Sequence, residues 1–167
     1  MDTGTTIMGL GFLFFCIIIF LIMIQKNKKK EMKLLKALGA LAKGSNCKIV
    51  QYDIWKNSAI GIDDATSILF FIRNTEDHSA SFQIDLSAMQ HCRIINSRKT
   101  ESNEDGKFSV IEKLELAFTN MDKNKDDSIL LFYTLDNDTF SLNGELQLIE
   151  KWYKITSNTI AVLSVSK

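Results

Sequence analysis

Eighteen consecutive residues, Ile7 to Ile24, carry no charged, amide or hydroxyl side chain. At 1.5 Å of rise per residue a helix over this run is roughly 27 Å long, close to the hydrocarbon thickness of a bilayer. Thirteen of the residues are Leu, Ile or Phe, each favouring insertion by about 0.3 to 0.6 kcal/mol. The run predicts a transmembrane helix over 7–24. Its flanks are the reverse of a cleaved signal peptide: Met1 to Thr6 holds an acid and no base, and no Ala-x-Ala-like site lies beyond Ile24. A buried core helix needs a polar stripe and caps that the run lacks.

The lysines directly after the run set an expected orientation. Lys26, Lys28, Lys29, Lys30, Lys33 and Lys36 stand against one acid, Glu31, and positive charge beside a span stays on the cytoplasmic side. The expectation is an inner (plasma) membrane protein that crosses once, with residues 1–6 outside and the C-terminal part cytoplasmic. Besides fixing topology, the six lysines are candidates for contact with anionic lipid head groups, on the order of 1 kcal/mol per Lys. The bilayer itself is the partner expected for Ile7 to Ile24.

Residues 1–43 hold seven lysines and two acids, whereas 44–167 hold thirteen Lys and Arg against eighteen acids. The overall zero is a basic neck joined to an acidic head. Such a head does not suit nucleic acid, whose phosphates demand a positive surface. The neck, 25–44, is rich in helix formers. Leu34, Leu38 and Leu41 recur on one helical face, with Gly44 placed to end it. An interfacial helix, a connector packed on the head and a continuation of the span all fit. Gly39 to Ser45 has the first spacing of a phosphate-binding loop but lacks its Lys and a preceding strand, so it is no nucleotide site.

Residues 45–167 suffice for one domain, and their texture shifts to short β-branched and aromatic runs between polar turns. Strands are expected at 59–63, with an entry strand at 49–55, then at 67–73, 81–86, 91–97, 108–118, 129–135 and 139–142. Glu112 falls on the apolar face of the longest strand, which predicts a bulge near Ile111. From Gly144 to Ile155 the residues Leu148, Trp152 and Ile155 recur at helical spacing, with Asn143 as a cap.

Seven short antiparallel strands and one apolar-faced helix resemble the pleckstrin-homology-like fold, a bent β-sandwich or barrel closed by a C-terminal helix. The whole layout is similar to a group of uncharacterised bacterial single-pass membrane proteins carrying such a domain. The expected fold class is thus an N-terminal transmembrane helix plus a mainly-β, seven-stranded pleckstrin-homology-like domain over 45–167. Lipid-binding members hold phosphoinositides with cations on the loop between the first two strands. With 59–63 and 67–73 as those strands, that loop is Asp63-Asp64-Ala65-Thr66, which is acidic, so head-group binding by the head does not carry over.

Other chemistry is not written in the chain. Asp122 to Tyr133 imitates half of a calcium loop, but Asp127 stands where Gly is needed and Tyr133 where Glu is needed. His91 and Cys92 are neighbours on a strand and point to opposite faces. His78 sits in an acidic loop and reads as a solvated side chain. Three cysteines, Cys16, Cys47 and Cys92, are too few and too scattered for a zinc site. No cofactor, metal or enzymatic activity is expected. The expected function is a membrane-tethered, non-catalytic module presenting its β-rich domain to a protein partner. The alternative is an accessory structural subunit of a membrane complex, associating through the transmembrane helix.

Overall fold

A computed structural model describes residues 3–75, 78–103, 106–135, 142 and 144–165; the side chains of 3–14, 20, 23–24, 26–27, 101 and 103 are not among those described. Helix α1 (Thr3–Gly44) leads into seven strands: β1 (Gln51–Trp55), β2 (Ser58–Asp63), β3 (Ile68–Asn74), β4 (Ser79–Asp85), β5 (Met89–Asn103), β6 (Gly106–Asn120) and β7 (Ser128–Thr134). Helix α2 (Glu145–Val165) closes the chain, and a 3-10 turn at Leu86–Ala88 joins β4 to β5. The strands form two antiparallel sheets, ordered β1-β2-β3-β4 and β5-β6-β7.

The N-terminal expectation needs correction. Among the described residues no helix is long and apolar enough to cross a membrane. Ahead of the lysines the described apolar side chains are those of Phe15 to Ile22 apart from Phe20. From Gln25 to Glu31 the same helix is polar, with Lys28, Lys29 and Lys30 exposed. The rest of the expected span, Ile7 to Phe14 with Phe20, Met23 and Ile24, falls outside the described side chains. The transmembrane part of the fold class is therefore overturned. With it go the single-pass inner-membrane localisation and the cytoplasmic placement of the head.

Instead of stopping at the neck, α1 runs 42 residues without a break and its last turns enter the core. Leu34, Leu38 and Ala42 are buried at helical spacing and pack with Cys47, Ala59, Phe70 and Ile72. The helix ends in a Schellman motif: Cys47 N–H donates to Ala42 O at 2.9 Å and Asn46 N–H to Lys43 O at 3.0 Å. The left-handed residue of that motif is Asn46 (φ 56°), not Gly44.

This packing explains the unbroken apolar run Ile68 to Ile72. Alternate side chains of β2 and β3 point to opposite faces. Ala59, Phe70 and Ile72 meet α1, while Ile60, Ile62, Leu69 and Phe71 meet the second sheet and α2. Every residue of β2 is buried. Gly61 lies where helix and sheet come closest: a Cβ there would stand 2.8 Å from Ile49 Cγ2 and 3.1 Å from Leu38 Cδ2.

The second sheet carries three register shifts, one at its start between Met89 and His91 and two further along. Ser97 pairs with Lys113 and Arg98 with Ile111, so Glu112 is the extra residue and its side chain escapes the apolar face. Across the next pair, Leu114 faces Tyr133 and Glu115 faces Leu131, which leaves Phe132 as the extra residue. Its carbonyl accepts from Trp55 Nε1 at 3.1 Å and from Arg73 Nη1 at 3.3 Å. Trp55 also stacks on the Phe132 ring, 4.8 Å between centroids, so the bulge is the joint between the two sheets.

Helix α2 buries Glu145, Ile149, Trp152, Thr156 and Ile160. Leu148 and Ile155 are half-buried, so the buried face is rotated from the expected one and the helix extends about ten residues further. Trp152 Nε1 donates to Asp53 Oδ2 at 2.8 Å, and Lys151 Nζ meets the same oxygen at 2.6 Å. The seventh strand comes from 51–55, expected only as an entry strand. Of the expected strand at 139–142, residues 139–141 lie outside the described residues, as does the cap Asn143, and Leu142 is not in a strand.

Two substitutions test this packing. Gly61→Val should cost about 1–3 kcal/mol by overpacking against Leu38 and Ile49, and Trp152→Ala about 3–5 kcal/mol. Urea unfolding followed by circular dichroism reads both; a Gly61→Val midpoint equal to wild type would mean that α1 does not sit on β2.

Candidate docking groove

The largest described hollow lies where α1 overhangs β1, an outer strand of its sheet. It measures about 530 Å³ and is lined by Lys28, Glu31, Met32 and Leu35 from the helix and by Tyr52, Asp53 and Ile54 from the strand. Helical spacing puts Lys28, Glu31, Met32 and Leu35 on one flank of α1, beside the face that buries Leu34 and Leu38. The strand supplies the opposite wall because Trp55 and Asp53 turn to the second sheet and α2, to Phe132 and Trp152, so Tyr52 and Ile54 turn to the α1 side, where Ile54 packs against the cluster under the helix. Apolar side chains stay open to solvent here: Met32 is 58% exposed, Val50 55% and Tyr52 47%.

Charge around the groove is uneven. The Asp53 carboxylate is engaged by Lys151 and Trp152. Glu31 faces Lys28 in the groove and Lys30 in a neighbouring hollow of about 230 Å³, which shares Glu31 and Ile54 with the first. A third hollow, about 170 Å³, adds Lys30, Lys33, Asn57 and Asn74. Here Asn57 Oδ1 is buried with no hydrogen-bond partner among the described residues. Of the six lysines singled out in the sequence, Lys28, Lys30 and Lys33 line this seam, and Lys29 and Lys36 are exposed away from it. The Lys26 side chain lies outside the described residues. The membrane-surface role given to these lysines has no span to act beside among the described residues.

The loop used to weigh phosphoinositide binding also moves. Because 51–55 is the first strand, Asp63 to Thr66 joins the second and third, and the first connection is Lys56-Asn57. Lys56 is committed elsewhere: its ammonium pairs with buried Glu145 at 2.7 Å and lies over the Tyr133 ring. Asp63 is a structural acceptor, taking the N–H groups of Lys48 at 2.8 Å, Ala65 at 2.8 Å and Thr66 at 3.3 Å. The Lys48 N–H above all, helped by those of Ala65 and Thr66 and opposed by burial, holds its carboxyl below the usual range.

The other residues singled out in the sequence lie apart from this groove. Cys92 is buried with its sulfur 3.2 Å from Thr156 Oγ1 and 3.1 Å from Ser157 Oγ, while His91 is exposed on the other face. The calcium-loop imitation is a turn in which Asp122 Oδ1 accepts from Asn124 N–H at 3.0 Å, with Asp127 paired to Arg93. His78 borders an apolar cleft of about 250 Å³ with Phe71, Phe82 and Ile129. Among the described residues no group of three or more His, Cys, Asp or Glu is placed to hold a metal ion. Sequence reasoning missed Tyr52, Asp53 and Ile54; the alternation of Tyr52, Asp53, Ile54 and Trp55 between two faces was the available signal. Compared with protein-family profiles, curated proteins and solved structures, the chain matches none.

The Asp63 cluster yields a pH test. A carboxyl whose folded pKa is depressed stabilises the fold above its unfolded value, near 4, and that contribution is lost as pH falls through the folded value. The urea midpoint of wild type should therefore drop between about pH 5 and pH 2 more steeply than that of Asp63→Asn. Parallel profiles would contradict the assignment.

Proposed function

We propose that the protein is a non-catalytic module whose β-rich head, with α1 built into it, docks a protein partner in the groove between α1 and β1. One observation carries this reading: the largest described hollow combines an outer strand with exposed apolar side chains beneath a charged helix flank. Of the polar groups beside it, Asp53 is paired with Lys151 and Lys56 with Glu145, and neither pair is a nucleophile–base arrangement. A pleckstrin-homology-like identity for the head is part of the same proposal. Its support is the order of four strands, three strands and a closing helix, and such a scaffold does not by itself imply a ligand.

Photo-crosslinking in the source cells tests it. Benzoylphenylalanine in place of Tyr52 should give one discrete adduct, abolished by Met32→Asp, and the same probe at exposed Lys154 should give none. No adduct at Tyr52, or the same adducts at both positions, would reject the groove as the docking site.

A further inference from the structure

Resting on the docking reading, we infer that the groove takes an extended, acidic segment of the partner, which adds to β1 as a fifth strand of that sheet. The β1–β2 hairpin has a two-residue turn, with Trp55 opposite Ser58, Asp53 opposite Ile60 and Gln51 opposite Ile62. In a two-residue hairpin the residues flanking the turn form a hydrogen-bonded pair, and such pairs alternate along the ladder. Gln51, Asp53 and Trp55 therefore bond to β2, and the N–H and C=O groups of Tyr52 and Ile54 point out from the open edge. An outer strand with unpaired backbone groups is a template for another strand, and here the template is the strand that walls the groove opposite α1.

The side chains state what that strand carries. Met32, Leu35 and Tyr52 offer apolar contact on the side of α1, so alternate positions of the incoming segment are apolar. Along the rim, Lys28 and Lys30 outnumber Glu31, and Asp53 is neutralised by Lys151. The positions flanking the apolar ones are acidic, complementary to those two ammonium groups. A basic segment meets like charge on the helix flank and is disfavoured.

The probe is an eight-residue blocked peptide of alternating Glu and Val, compared with its Lys–Val counterpart on the full-length protein. Amide exchange followed by NMR should show Glu–Val binding saturably and slowing exchange at Tyr52 and Ile54 by about tenfold or more. Asp53 and Trp55, already bonded to β2, should change little. Lys–Val should not bind, and Lys28→Glu with Lys30→Glu should weaken Glu–Val by about tenfold. Equal binding of both peptides, or binding that leaves Tyr52 and Ile54 amides unslowed, overturns strand addition. If the Tyr52 cross-link persists in that case, docking stands and only the strand inference fails; if the cross-link is also absent, docking fails with it.

Discussion

The structure depends on covering β2 and β3 from both sides. Two adjacent strands with apolar residues on both faces cannot sit at the surface of a simple sandwich, since half of those side chains would face water. The second sheet and α2 cover Ile60, Ile62, Leu69 and Phe71, and the end of α1 covers Ala59, Phe70 and Ile72. Helix α1 is thus a third layer of the head. Its direction is fixed by the close approach at Gly61 and by the Schellman ending at Asn46, which together leave its charged flank overhanging β1.

Polar ties then lock the layers in register. Arg73 and Trp55, on the first sheet, donate to the carbonyl freed by the Phe132 bulge on the second. Asp53 joins the first sheet to α2 through Trp152 and Lys151, and Lys56 joins the first hairpin to the start of α2 through Glu145. Apart from exposed Lys151 these groups are buried or half-buried, so removing one of them leaves its partner unsatisfied at a cost of about 1–3 kcal/mol. The same ties hold β1 at the edge of its sheet with Tyr52 and Ile54 on the α1 side, so the groove is a consequence of how the fold is fastened.

Much of the head was legible in the sequence because period-2 patterning and turn residues are local signals. The bulge in β6 could be read from a single misplaced charge, Glu112, and a helix near Trp152 from its spacing. What failed needed knowledge of distant contacts. The run Ile68 to Ile72 signals burial on both faces, yet nothing local says that α1 supplies the second cover. The rotation of α2 is set by Ile149, Thr156 and Ile160 fitting the sheet interior, where Leu148 and Ile155 looked equally apolar. Taking 51–55 only as an entry strand shifted every later strand by one, which moved the first loop from Asp63 to Lys56 and hid Tyr52 and Ile54. The apolar run at the N-terminus was read from composition alone, and the described part of that helix does not carry a span. Of the six lysines, three line the groove seam, but their place there depends on where α1 crosses the sheet.

The most direct test of α1 as a layer of the head is hydrogen exchange, read by mass spectrometry, on the full-length Leu38→Asp variant. A buried charge at Leu38 should lift the end of α1 from the sheet. Protection should then fall together over residues 31–43, β2 and β3, while the β5–β6 core around Leu114 to Phe118 stays protected. Loss confined to residues 31–43, with β2 and β3 exchanging as in wild type, would show that the head stands without the helix and would contradict its place as a third layer.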